Sequence, residues 1–199
     1  SWHAPAMRRW SYCRRGAKRA GSMRAPRSDM SDAPMPTAPQ LPGGRFEGRE
    51  AFQQLVRDAL ACAAREGWSE LMLCDASFHD WPLGERAAVE SLQQWARTGR
   101  RLTLIAAGYD EVVRRHARFV QWRVRWDHII VCRRAGAADP QDLPSSIWSP
   151  HWVLHRHDPL RCRGVTGTEP ERRILLRESL LEWVERKSSP GFPASTLGL

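Results

Sequence analysis

Apolar positions between residues 52 and 63 recur at helical spacing. Phe52, Leu55, Val56, Ala59, Leu60 and Ala63 fall at i, i+3, i+4, i+7, i+8 and i+11. This stripe predicts an amphipathic helix ended by Gly67, since glycine accepts the left-handed backbone that closes a helix. A short apolar run within 69–75 then predicts a buried strand. After a turn containing Pro82 and Gly84, a second helix is expected over about 84–98, with Ala88, Leu92, Trp95 and Ala96 inward and Gly99 as its stop. The run at 101–107 predicts another strand, Asp110 can cap a helix through 125, and 128–132 (HIIVC) predicts a third strand. Residues 120–126 also alternate like a strand, because Val120, Trp122, Val124 and Trp126 interleave with Gln121, Arg123 and Arg125.

Strands separated by helices point to parallel units with crossover connections. A Pro/Ser-rich loop is expected at 139–150. Two further strands, HWVLHRH and RCRGVT, should then pair antiparallel around an Asp158-Pro159 turn. A last helix over 169–187 would bury Leu176, Leu180, Trp183 and Val184. The expected fold is a single-domain α/β sandwich, with a mixed, mainly parallel sheet of about five strands flanked by helices.

Composition supports a real core: 42% of the 199 residues are hydrophobic and ten are tryptophan. No window approaches ~18 uncharged apolar residues, so no membrane span is expected. The formal charge of +9 is uneven. Residues 1–43 carry Arg8, Arg9, Arg14, Arg15, Lys18, Arg19, Arg24 and Arg27 against Asp29 and Asp32, which leaves only +3 for the rest. That segment has no apolar periodicity and is expected to be disordered, an over-extended start whose true initiator would be Met23, Met30 or Met35. The domain should cover 44–190, with 191–199 as a tail. Only Lys18 and Lys187 are lysines. Arginine is thus the default cation, as GC-rich coding produces, and its abundance alone carries little weight. Cys62, Cys74, Cys132 and Cys162 sit in or beside apolar runs. They read as buried free thiols in a reducing compartment, hence a cytoplasmic protein.

Three stretches can carry chemistry. In RHARFVQWRVRWDHIIVCRR, residues 115–134, either periodicity buries Phe119, Trp122 and Trp126 and turns arginines outward. Arg118, Arg123, Arg125, Arg133 and Arg134 are the candidates for gripping phosphate-bearing ligands or nucleic acid, through phosphates rather than stacked bases. In SPHWVLHRHDPLRC, only His155 and His157, about 6.6 Å apart on an extended strand, can chelate one ion together. With no second ligand pair evident, the expectation is no metal. In CDASFHDWP, Asp75, His79 and Asp80 stand at the carboxyl end of the first parallel strand, where open α/β sheets place ligand crevices. Together with His128 they are the pocket candidates, with Asp75 and Asp80 alternatively serving turn chemistry. No GxGxxG, GxxxxGK[ST] or GxSxG motif occurs. No cofactor is expected.

The order of elements, and the segment LMLCDASFHDWPLGERAAVESLQQWARTGRRLTLIAAGYDEVVRRHARFVQWRVRWDHIIVCRR, resemble one half-domain of the phospholipase D superfamily. They are similar to a proteobacterial domain family of that fold, over about residues 45–190. That chemistry needs a histidine nucleophile with a lysine two residues later. Gly16 and Glu185 stand two residues before Lys18 and Lys187, so the HxK element is absent. The resemblance therefore implies a degenerate bacterial member without phosphodiesterase activity, which can retain a basic groove or a dimer-forming face. The leading expectation is a non-catalytic module for phosphate-bearing ligands or nucleic acid. The alternatives are a protein-interaction subunit, as a homodimer or a component of a complex, and a small enzyme built on Asp75, His79 and Asp80.

Overall fold

The computed structural model describes residues 40–99 and 101–193. Strand β1 (Gly44–Glu47) leads into α1 (Arg49–Glu66), β2 (Glu70–Cys74), α2 (Arg86–Ala96) and β3 (Arg101–Ala106). Helices α3 (Asp110–Arg115) and α4 (Ala117–Arg125) precede β4 (Ile130–Arg134). Strands β5 (Ser145–Trp148), β6 (Val153–Asp158) and β7 (Arg163–Gly167) follow, then α5 (Pro170–Arg186) and β8 (Ser189–Pro190). Among the described residues one sheet holds all eight strands, in the order β1-β7-β6-β5-β2-β3-β4-β8.

The apolar pattern accounts for the centre. β2, β3 and β4 are parallel neighbours in chain order. Their crossovers lay helices on one face, as right-handed connections running in one direction require. Leu71, Leu73, Leu102, Leu104 and Cys132 pack there against Phe52, Leu60, Leu92, Val112 and Phe119. Alternate positions Met72, Cys74, Ile105, Trp148 and Val153 face the opposite side, where Leu176, Leu180 and Trp183 of α5 cover them. α1 ends as its sequence predicts, with Gly67 at φ 65° donating its N–H to Ala63.

Several expectations are corrected. Among the described residues the sheet has eight strands rather than about five, and only the β2–β3 and β3–β4 pairings are parallel, so it is mixed but mainly antiparallel. The loop expected at 139–150 contains β5, buried along its whole length between β2 and β6. Gly99 is not the left-handed stop of α2, whose cap is Arg97 in right-handed conformation. Its role is steric: a Cβ there would lie 2.5 Å from the Trp95 ring. The helix expected through 110–125 is broken at His116, and 120–125 is helical rather than extended, with Trp126 as its cap.

Two flanking stretches complete the picture. Most of the basic N-terminal segment (1–39), and residues 194–199 of the segment read as a tail, lie outside the described residues. Pro42 holds its place through its carbonyl, which accepts from Trp152 Nε1 and Thr166 Oγ1.

Cys62, Cys74, Cys132 and Cys162 are free and buried. Desolvation pushes the Cys62 thiol up to about 11 and raises Cys74 and Cys132 as well. Because the thiolate is the reactive form, a thiol-exchange reagent at pH 8 is expected to leave Cys62 and Cys74 unlabelled until urea unfolds the chain. Labelling of either in the native protein at a free-thiol rate would contradict this burial. Among the described residues, no helix is long and apolar enough to cross a membrane.

Candidate nucleic-acid interface

The break between α3 and α4 sets the geometry of the basic face. His116 is buried, and its Nε2 lies 2.7 Å from the Phe78 carbonyl in the loop after β2. Gly84 permits the approach, since a Cβ there would meet the Arg115 carbonyl at 2.8 Å and the His116 ring at 3.0 Å. α4 restarts at Ala117 and sends Phe119 into the core. Its residues 118, 121, 122 and 125 then fall on one side at i, i+3, i+4 and i+7.

Those residues, Arg118, Gln121, Trp122 and Arg125, form one wall of a shallow groove of about 280 Å³, with Val89, Glu90 and Gln93 of α2 opposite. Arg118 and Arg125 are exposed. Arg118 donates, among the described residues, only to the Gly84 carbonyl, at 3.2 Å. Among the described residues Arg125 has no hydrogen-bond or ion-pair partner. The surrounding arginines differ: Arg86 is paired with Glu90 at 2.7 Å, and Arg114 and Arg115 share Glu111. Trp122 is buried beneath the groove, and its indole N–H lacks an acceptor among the described residues. Trp126 is half-buried and donates to Gln93 Oε1. The aromatics thus offer no exposed stacking platform on this face.

The other arginines of the stretch point elsewhere. Arg123 is buried, donating to Cys132 Sγ at 3.2 Å and to the Phe192 carbonyl, with Asp127 at 3.5 Å. Arg133 is tied to Ser188 through Nε and Nη2. Arg134 is exposed in a separate depression with Arg186 and Lys187. The five candidates therefore divide into an exposed pair on α4, a buried strut, and two at the β4 edge.

Asp75 and Asp80 are brought together, but by a residue the sequence reading assigned no role. Arg156 on β6 is buried and donates to Asp80 Oδ2 at 2.6 Å and Asp75 Oδ1 at 3.0 Å. Asp75 Oδ2 also accepts the N–H groups of Ser77 and Phe78, the turn chemistry its position suggested. Trp81 fills the adjoining space, packed edge-on against Phe52 and Phe78. His79 is half-exposed, 4.0 Å from Asp80. His128 follows α4 at the amino end of β4, whereas Asp75 follows the carboxyl end of β2, so the parallel strands keep them at opposite ends of the sheet. A signal for Arg156 existed: strand alternation puts it on the same face as Leu154 and Trp152.

His155 lines a depression of about 560 Å³ beside the start of α5, with Val165 and Leu175. Burial first, and then the neighbouring His157, hold its imidazole below the usual histidine range. Among the described residues, no group of three or more His, Cys, Asp or Glu side chains is placed to hold a metal ion.

Fold and face together define an open-sheet α/β domain with a shallow groove that carries two exposed arginines, Arg118 and Arg125, opposite Glu90. It resembles the solved structure of TrmBL2, an archaeal chromatin protein reported to show a novel mode of DNA binding. The TM-score is 0.56 at 12% identity, over 81% of this chain. The chain spans 57% of the length of that protein, and what the two share is the fold. No protein-family model and no curated protein matches the chain.

Proposed function

We propose that the domain is a non-catalytic module that grips phosphate-bearing ligands, nucleic acid foremost, through the groove between α2 and α4. The observation that carries this reading is the pair Arg118 and Arg125, exposed and without carboxylate partners among the described residues, on one side of one helix. Guanidinium groups not already neutralised are the ones that gain by displacing counterions from a phosphate backbone. The DNA-binding role in the description of TrmBL2 is compatible with this reading. The phospholipase D-like character belongs to the same proposal. It rests on the order of elements, and the missing HxK pair argues for binding without hydrolysis. An interaction subunit is a second reading, favoured by the adjacent exposed Ile174 and Leu175 of α5.

The test is an anisotropy titration of labelled duplex and single-stranded oligonucleotides with the 199-residue protein, at ~50 and ~200 mM salt. Affinity is expected to fall steeply with salt. Arg118→Ala with Arg125→Ala should weaken binding at low salt and reduce the duplex salt slope by roughly two. A slope unchanged by the double substitution would overturn the groove, and no binding at either salt would favour the interaction reading.

A further inference from the structure

On the side of α4 away from the groove, residues 188–192 run as a strap along the outer edge of β4. Its hold is slight. Arg133 pairs with Pro190 and Arg134 with Ser189, and Gly191 donates to the Cys132 carbonyl. Proline lacks an N–H, and two-residue strands contribute little pairing. The strap ends by delivering Phe192 into a niche. Its ring stacks on Tyr109, centroids 4.7 Å apart and planes 8° from parallel, and the Arg123 guanidinium carbon lies 4.4 Å from the ring centre. Arg123 also donates to the Phe192 carbonyl. The niche is anchored on the protein side, because Tyr109 Oη–H shares its one proton between the carbonyls of Arg133 and Leu104. The occupant is the strained partner: Phe192 sits at φ 52°, left-handed backbone that disfavours a side chain with a Cβ.

A flat ring stacked on a tyrosine, beside a guanidinium that also donates to an adjacent oxygen, is the arrangement by which proteins hold an unpaired nucleobase. We propose that Phe192 is an internal stand-in for such a base, and that the Tyr109–Arg123 niche takes a base of single-stranded nucleic acid when the strap lifts. The inference rests on the nucleic-acid reading but not on the groove. The groove takes phosphates on one side of α4, and the niche takes a base on the other.

The full-length Phe192→Ala protein tests this, with single strands that carry bases, abasic strands of equal length, and adenosine alone. Emptying the niche is expected to tighten binding of the base-bearing strand about tenfold, leave the abasic strand unchanged, and allow saturable adenosine binding that the wild type lacks. Adding Tyr109→Phe should preserve the gain, while Tyr109→Leu should abolish it. If Phe192→Ala fails to fold, Phe192→Gly replaces it, since glycine suits the left-handed backbone. Wild-type and variant proteins that bind both strands alike, with no adenosine binding, would overturn the niche and leave the groove standing. Adenosine binding by the variant, with no salt-sensitive strand binding, would overturn the groove and leave the niche.

Discussion

Arg156→Met is expected to lower the stability of the domain by about 3–5 kcal/mol, because it strips the countercharge from two buried carboxylates. The Arg156 side chain is 1% exposed, and those of Asp75 and Asp80 are 6% and 5% exposed. Its guanidinium makes two contacts to Asp80, one to Asp75 and one to Ser145 Oγ, and lies 3.9 Å from the centre of the Phe52 ring. Burial opposes the charge on Arg156. The Asp80 hydrogen bond and the charges of both aspartates outweigh it and raise the guanidinium pKa. Methionine keeps much of the apolar stem, so the loss should report the charge rather than a cavity. Arg156→Lys should fall between the two, retaining the charge without the bidentate fork. Arg156→Met combined with Asp75→Asn and Asp80→Asn should recover part of the loss, because no uncompensated charge stays buried. Urea unfolding with an unchanged m-value is the measurement. A loss below about 1 kcal/mol for the single variant would mean that water reaches the carboxylates.

Trp95→Ala is expected to cost about 3–5 kcal/mol, the range for deleting a buried aromatic. The ring is fully buried and its Nε1 donates to the Trp68 carbonyl at 2.6 Å. Gly99→Ala should cost about 1–3 kcal/mol for the opposite reason, since its methyl group would be driven into that ring. The two should not add. With the indole gone, the methyl enters space already vacated, so the double variant should be more stable than the sum of singles by roughly 0.5–3 kcal/mol. Strict additivity in urea unfolding would show that the two positions do not share this packing.

What could be read from the sequence follows the length and purity of each pattern. α1, β2, β3 and α5 stand close to their expected bounds because each carries a long apolar stripe or a dense apolar run. β1, β5 and β8 were not legible. Four residues beginning at a glycine, four between a proline and a serine-proline, and two that include a proline carry no period. They are strands because neighbouring strands offer them hydrogen bonds. The break at His116 depends on the Phe78 carbonyl, 38 positions away, which no local pattern encodes. At the candidate interface, helical spacing turned Arg118 and Arg125 outward. Arg123 stands four residues beyond Phe119, a spacing that points toward the core, and there it is buried. The Phe192 niche was invisible because its parts come from 109, 123 and 192.

The pairing of β1 with β7 also has a history in time. Gly44 and Thr166 are 122 positions apart, so a chain made from its amino end produces β1 long before that strand's partner exists. At the usual pace of synthesis the interval is on the order of ten seconds. Meanwhile β2, β3 and β4 have each other and their connecting helices already in hand. β1 is therefore joined late, and the glycines on either side of it, Gly43 and Gly48, leave it free to wait.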